Sequence, residues 1–385
     1  MSQGLKIILA GMVAGDPHQG GATWAVLQYL LGLRRLGHDV HLIEPVATSS
    51  LKPTNIPLSQ TINAEYFRHV ADEFDLHRAM TLLQGNTCNT IGQSYRDLIR
   101  TTQSADVLIN ISGMLTDPEL IGPIKTRIYL DLDPAFIQLW HTQNVDMRFE
   151  GHTHFATVGL AIGTNHCPVP TCDHNWITTL PPVVLDRWPR ANQVNIDAFT
   201  TIGNWRGYGS IEHQGIHYGQ KAHSLRQLWS LPQRANERFA LAMAIDDGET
   251  NDLAMLREHG WTLLDTMEAA GTPGRYQAFI QSSLAEFGVA KSGYVVSRCG
   301  WFSDRSACYL ASGRPVLAQD TGWPQYLPSG AGLLSFGSVD EAAEAASRIR
   351  LEYGYHARAA RLLAEEHFDS DRVLNGLLQN VGVGA

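Results

Sequence analysis

The chain has 385 residues, which at roughly 100–200 residues per domain is enough for two domains. Apolar residues make up 44% and aromatics 9%, excluding a disordered, collagenous or coiled-coil chain. With 29 Lys and Arg against 38 Asp and Glu the formal charge is −9, which disfavours sequence-independent binding to a nucleic-acid backbone.

Five cysteines, an odd number in a long chain, fit a reducing compartment better than a disulfide framework. The apolar start at residues 7–11 is too short for a signal-peptide core, and no window approaches ~18 uninterrupted apolar residues. These features predict a cytoplasmic protein without a membrane span.

Residues 5–11 read as a short strand that stops in a loop rich in Gly, Asp and Pro. Helical spacing of Leu27, Leu30, Leu31, Leu33 and Leu36 follows, ending at Gly37, and residues 38–44 read as a second strand. Strand, helix, strand with short connections is a βαβ unit, which implies a parallel sheet covered on both faces. Further strands are expected at 105–111 and 127–132, and helices around 65–73, 94–101 and 135–140. Prolines at 181, 182 and 189 suit an inter-domain linker, because proline stiffens the backbone and lacks a donor. The βα rhythm then restarts, with strands predicted at 199–203, 239–245, 261–264, 294–297 and 315–318. Helices are predicted at 225–229, 251–258, 276–286 and 304–311, and three more segments within 340–353, 355–366 and 372–378. The expected architecture is α/β: two Rossmann-like domains with parallel sheets facing across a cleft. The expected divisions are residues 1–190, 191–368, and a final helix in 369–385 crossing back to the first domain. Ligands of such sheets sit beyond the carboxyl ends of strands.

The loop at 14–21 joins the first strand to its helix. Gly20 and Gly21 present no side chain to a ligand, and the helix N-terminus favours negative charge. Gly11, Gly15 and Gly20 do not spell the dinucleotide fingerprint G-x-G-x-x-G, so NAD is not indicated. His18 at the loop apex is a candidate base or simply a loop-capping side chain. In the second half, Arg298, Ser303, Arg305 and Ser306 cluster around a predicted helix start, where N–H groups and guanidinium forks suit a diphosphate. Gly313 closes that helix, and Asp320, Thr321 and Gly322 follow the next strand. Asp131 and Asp133 end a strand of the first half; one can orient His18, or both can cap the following helix. His152, His154, His166, Cys167, Cys172 and His174 crowd one stretch, but their spacing matches no common zinc site. That stretch reads instead as an acceptor-side loop walled by Trp176 and prolines.

The segment Ala311-Ser312-Gly313-Arg314-Pro315-Val316-Leu317-Ala318-Gln319-Asp320-Thr321-Gly322 resembles the A-S-G-x-P-V-x-A-x-D-x-G stretch of GT-B fold glycosyltransferases, most like family 4. Gly332-Leu333-Leu334 before Asp340, and the opening Gly20-Gly21 helix running to Gly37-His38-Asp39-Val40, resemble the same family. Lys221, after Gly203-Asn204-Trp205-Arg206, resembles the lysine of its G-R…K-G motif that grips donor phosphates. The resemblance departs at the E-x7-E pair, whose positions fall on Gly300 and Cys308, and at the motif arginine, which falls on Asn204 or Trp205. It implies sugar transfer from a UDP- or TDP-sugar to an acceptor hydroxyl, without a metal. Asp131-Leu132-Asp133 spells the D-x-D of metal-dependent transferases, but in the half that does not bind the donor. A base at His18 implies inversion; without it retention stays open. A sugar-nucleotide epimerase of the same fold and a non-catalytic nucleotide-binding module are the alternative readings.

Overall fold

The computed structural model describes residues 4–383. Its first sheet contains β1 (Lys6–Ala10), β2 (Asp39–Val46), β3 (Met80–Gln84), β4 (Thr90–Ile91), β5 (Val107–Ile111), β6 (Thr126–Asp131), β7 (His154–Thr157) and β8 (Trp176–Thr178). Their spatial order is β4-β3-β2-β1-β5-β6-β7-β8. Only β4 runs antiparallel, against β3. Strand β9 (Ile196–Asn204) opens the second half and precedes a hairpin of β10 (Ile211–His213) and β11 (Ile216–Tyr218). Then come β12 (Phe239–Ala244), β13 (Thr262–Leu263), β14 (Ser283–Gly288), β15 (Val316–Gln319) and β16 (Leu333–Phe336). The second sheet orders them β13-β12-β9-β14-β15-β16, all parallel.

That order is the doubly wound 3-2-1-4-5-6 pattern, which reverses direction between β9 and β14. Loops leaving those two strands part there and open a crevice, so the topology itself marks where a ligand fits. Aromatic rings anchor the second sheet: Phe199 stacks on Phe239 at 5.1 Å and Phe287 on Phe336 at 5.7 Å.

The halves are in close contact. Trp24 Nε1 donates to the Pro273 carbonyl at 2.9 Å, and Gln28 Nε2 donates to Cys308 Sγ at 3.6 Å. The helix Ser370–Asn380 packs on the helix Gly20–Arg35, where a Cβ at Gly32 would lie 2.6 Å from Leu374 Cδ1. Glycine there spares Leu374 and Ser370 a displacement, since the same Cβ would also stand 2.9 Å from Ser370 Cβ.

Two predicted elements are corrected. Residues 294–297 are not a strand but part of the helix Ser292–Ser297. Their β-type composition yields to packing: Gly293, Tyr294 and Ser297 face inward at helical spacing, while Val296 is exposed. The helix predicted at 276–286 ends at Ser282, and β14 follows directly. Every residue of β14 is buried, so it lacks the alternation that would separate it from a helix. Strands β3, β4, β7, β8, β10, β11 and β16 lie outside the predicted strands. Among the described residues, no helix is long and apolar enough to cross a membrane.

Candidate active site

A cavity of about 510 Å³ opens beyond the carboxyl ends of β9 and β12 and beside the segment that follows β14, facing the start of the helix Gly20–Arg35. Its wall on the second half includes Asn204, Lys221, Tyr276, Lys291, Asp304 and Arg305; on the first half it includes His18, Gly21 and Ala25.

Positive charge dominates the floor. Lys221 opens the short helix Lys221–Leu225 and has no hydrogen-bond or ion-pair partner among the described residues. Burial first, then the neighbouring Arg305 and Lys291 charges, lower its pKa from 10.5 to about 7. Arg305 is 6% exposed, with Nε donating to Glu286 Oε1 at 2.6 Å and Nη1 to the Ile202 carbonyl at 2.9 Å. Its Nη2 is buried without a partner, as is the second Glu286 oxygen, Oε2. Arg305 belongs to the first turn of the helix Asp304–Ala311, whose N-cap Ser303 accepts from the Arg305 N–H at 3.2 Å. Two cations and a helix N-terminus therefore converge on one cavity. Asp304 is the one carboxylate on its wall, and burial raises its pKa.

The opposite wall is held from below. Buried Glu44 accepts from the Ala14 and Gly15 N–H groups at 2.7 and 2.6 Å, while Asn63 Nδ2 donates to the Ala14 carbonyl at 2.7 Å. Burial pushes the Glu44 carboxyl up to about 7 despite those donors. The loop thus fixed carries His18, exposed at the cavity edge with φ of 67° and its ring edge-on to Tyr66 at 5.2 Å. Gly21 lines the cavity. Gly20 instead admits the other half, since a Cβ there would meet the Thr272 carbonyl oxygen at 2.3 Å.

The two carboxylates expected beside His18 are engaged elsewhere. Asp131 is fully buried and accepts from Gln138 Nε2 at 2.9 Å, Thr157 Oγ1 at 2.8 Å and the Asp133 N–H at 2.8 Å. These bonds tie β6 to β7 and to the following helix. Burial raises its pKa to about 6. Asp133 binds Lys291 Nζ of the other half at 2.9 Å and also accepts from the hydroxyls of Tyr208 and Tyr294. Lys291 lies over the Tyr208 ring at 4.1 Å and the Phe136 ring at 5.0 Å. This clamp closes one side of the cavity, and it makes Asp133 an anchor between halves rather than a partner of His18. Asp133→Asn is expected to destabilise the protein by about 2 kcal/mol, since charged hydrogen bonds within a partly buried cluster weaken together. It also frees Lys291 for an anionic ligand. Urea unfolding checks this, and an unchanged midpoint would mean that the clamp adds nothing.

Arg298, Ser303, Ser306, Asp320, Thr321 and Gly322 lie outside the cavity wall. Arg298 is half-exposed and faces Asp320 at 3.6 Å, its backbone left-handed with φ of 46°. Ser306 is buried within its helix. Thr321 Oγ1 donates to the Trp301 carbonyl at 2.6 Å, and Gly322 packs on the Arg298 backbone. These groups stitch loops together. Of the sequence-derived candidates, His18, Gly21, Asn204, Lys221 and Arg305 meet around one space. Lys291, Tyr208 and Tyr276 join them unanticipated. The signal that marks Lys291 is its place just past a wholly buried strand, which the misplaced 294–297 strand concealed.

At the E-x7-E positions, a Cβ at Gly300 would stand 2.7 Å from the Ala161 nitrogen, where the two halves touch backbone to backbone. Cys308 is buried and accepts from Gln28 Nε2 at 3.6 Å. Both positions serve contact between halves. The histidine- and cysteine-rich stretch is spread out: His174 stacks on Phe155 at 3.8 Å, and Cys167 Sγ donates to the Ser297 carbonyl at 3.6 Å.

No protein-family model matches the chain, and no curated protein matches it by sequence. Solved structures do match over nearly its whole length. An α-glucosyltransferase in complex with UDP and a 13-mer DNA containing an HMU base aligns with TM-score 0.58 and 10% identity, over 98% of this chain and 100% of that one. Anabaena Alr3699/HepE in complex with UDP and glucose aligns with TM-score 0.55 and 10% identity, over 98% and 99%. AviGT4, a glycosyltransferase involved in avilamycin A biosynthesis, aligns with TM-score 0.53 and 14% identity, over 98% and 97%. At such identities the likeness establishes the fold. The chain has the GT-B architecture: two Rossmann-like domains facing across a cleft.

Proposed function

We propose that the protein is a glycosyltransferase that takes a sugar from a nucleoside diphosphate sugar, a UDP- or TDP-sugar, to an acceptor hydroxyl. The observation that carries this reading is two unpartnered cationic groups, the Lys221 ammonium and Arg305 Nη2, on residues that line the crevice of a GT-B fold beside the start of the helix Asp304–Ala311. A diphosphate supplies what both lack. As the glycosidic C–O bond breaks, charge builds on the departing diphosphate, and preorganised donors in a dry site stabilise it most there. The same cations remove the need for a metal. UDP-bound neighbours of this fold support UDP as the first nucleotide to test.

The donor is assigned to the second domain, and the acceptor to the first. The formal charge of −9 favours a small acceptor over a nucleic acid. Calorimetry with UDP, followed by UDP release from UDP-glucose with and without EDTA, tests the assignment. Micromolar binding and slow EDTA-insensitive release are expected. Binding without any sugar cleavage would reduce the protein to a nucleotide-binding module, and an interconverted sugar would make it an epimerase.

A further inference from the structure

A second, smaller cavity of about 100 Å³ adjoins the first, and the two share Ala25 and Asp304 on their walls. Both domains build it. Leu132, Val158 and Pro182 come from one side, and Trp301 and Phe302 from the other. Its lining is apolar except at Tyr29, Gln28 and Asp304. Gln28 is spent, since its amide oxygen holds the Val184 N–H and its nitrogen reaches Cys308.

Tyr29 is not spent. It is 2% exposed, and its hydroxyl has no partner. Leaving a buried hydroxyl unbonded is costly, and native interiors rarely tolerate it without a reason such as an absent ligand. Burial first, then the charge of Asp304, raise its pKa, which places the hydroxyl within reach of that carboxylate's field. A small apolar slot whose lining includes a tyrosine with an unpartnered hydroxyl and a carboxylate shared with the large cavity suits a specific kind of guest.

We propose that this slot is the acceptor subsite and that it takes a single aromatic ring carrying a hydroxyl, a phenol, with Tyr29 and Asp304 holding that hydroxyl toward the donor cavity. The acceptor role rests on the glycosyltransferase reading; the binding of a phenol does not. Engineered apolar cavities of about 150 Å³ bind benzene, so a slot of about 100 Å³ takes no more than one ring, and its walls close tightly on it. The walls exclude a free sugar, whose several hydroxyls would find no partners there.

The full-length protein is titrated with phenol and with toluene, a ring of similar size without the hydroxyl, using ligand-observed NMR, and separately with UDP. Phenol is expected to bind about tenfold tighter than toluene, a factor equal to one net hydrogen bond. Tyr29→Phe, which keeps the ring and removes only the orphan hydroxyl, is expected to erase that preference while leaving UDP affinity unchanged. Val158→Phe, which fills the slot from a wall the nucleotide cavity does not share, is expected to abolish binding of both rings. With UDP-glucose present, 4-nitrophenol is expected to speed UDP release in the wild type and not in Val158→Phe. Equal affinity for phenol and toluene, or phenol binding that survives Val158→Phe, overturns the proposal. Phenol binding without any UDP binding would leave the slot standing and sink the transferase reading instead.

Discussion

Arg305→Ala is expected to cost about 3–5 kcal/mol of stability and, independently, most of the affinity for UDP. The stability loss follows from Glu286, which is fully buried and whose Oε1 is held by Arg305 Nε at 2.6 Å. Removing one member of a buried pair strands the other charge, which costs far more than the pair itself contributes. The Ile202 carbonyl loses its Arg305 donor as well. The binding loss has another origin. Arg305 lines the cavity and its buried Nη2 has no protein partner, so a diphosphate oxygen that reaches it gains a charge-assisted bond worth roughly 1.5–3 kcal/mol, or about 10- to 150-fold in affinity.

These effects separate in the double variant Arg305→Met/Glu286→Leu. Replacing both charges with apolar groups of similar volume removes the stranded carboxylate, so stability should return to within about 1–2 kcal/mol of wild type. UDP affinity should stay low. Urea unfolding and calorimetry on the three proteins decide the matter. If the double variant binds UDP like wild type, Arg305 is a structural buttress and not a ligand of the donor.

How far the sequence could be read follows from the range of each signal. Glycine C-caps and side-chain N-caps act within a turn, so Gly37 and Gly313, both left-handed, and the Ser303 cap are where local spacing puts them. The βα alternation fixed two parallel sheets for the same reason. Strand β14 was lost because a wholly buried strand has no period of its own. With it went Lys291, the cation three residues past its end. The pairing of Asp133 with Lys291 crosses 158 residues and depends on how the two domains close, which no spacing encodes. Arg298 shows the remaining difficulty. Its sequence distance from Arg305 suggests one cluster, but its left-handed backbone and its contact with Asp320 place it off the cavity wall. Proximity along the chain does not say where a side chain points.

Lys221→Met should change stability and binding in opposite directions. In the unfolded chain this lysine keeps its proton up to about 10.5, whereas in the folded protein burial and two neighbouring cations let it go near 7. The unfolded state therefore binds more protons between those values, and wild-type stability rises with pH across that window. Below about pH 7 the full penalty of a desolvated, unpaired ammonium is present. Methionine fills similar space without charge, so the variant should be more stable than wild type at pH 7 and should lose this pH slope. Its UDP affinity should fall about 10- to 100-fold, as befits a lost charge-assisted bond. In the wild type, diphosphate binding must recharge the amine, so affinity should drop by up to tenfold per pH unit above 7. Calorimetry at pH 8 in buffers of different ionisation enthalpy reads the accompanying proton uptake directly. Uptake near zero, with Lys221→Met binding UDP as tightly as wild type, would remove this lysine from the diphosphate site.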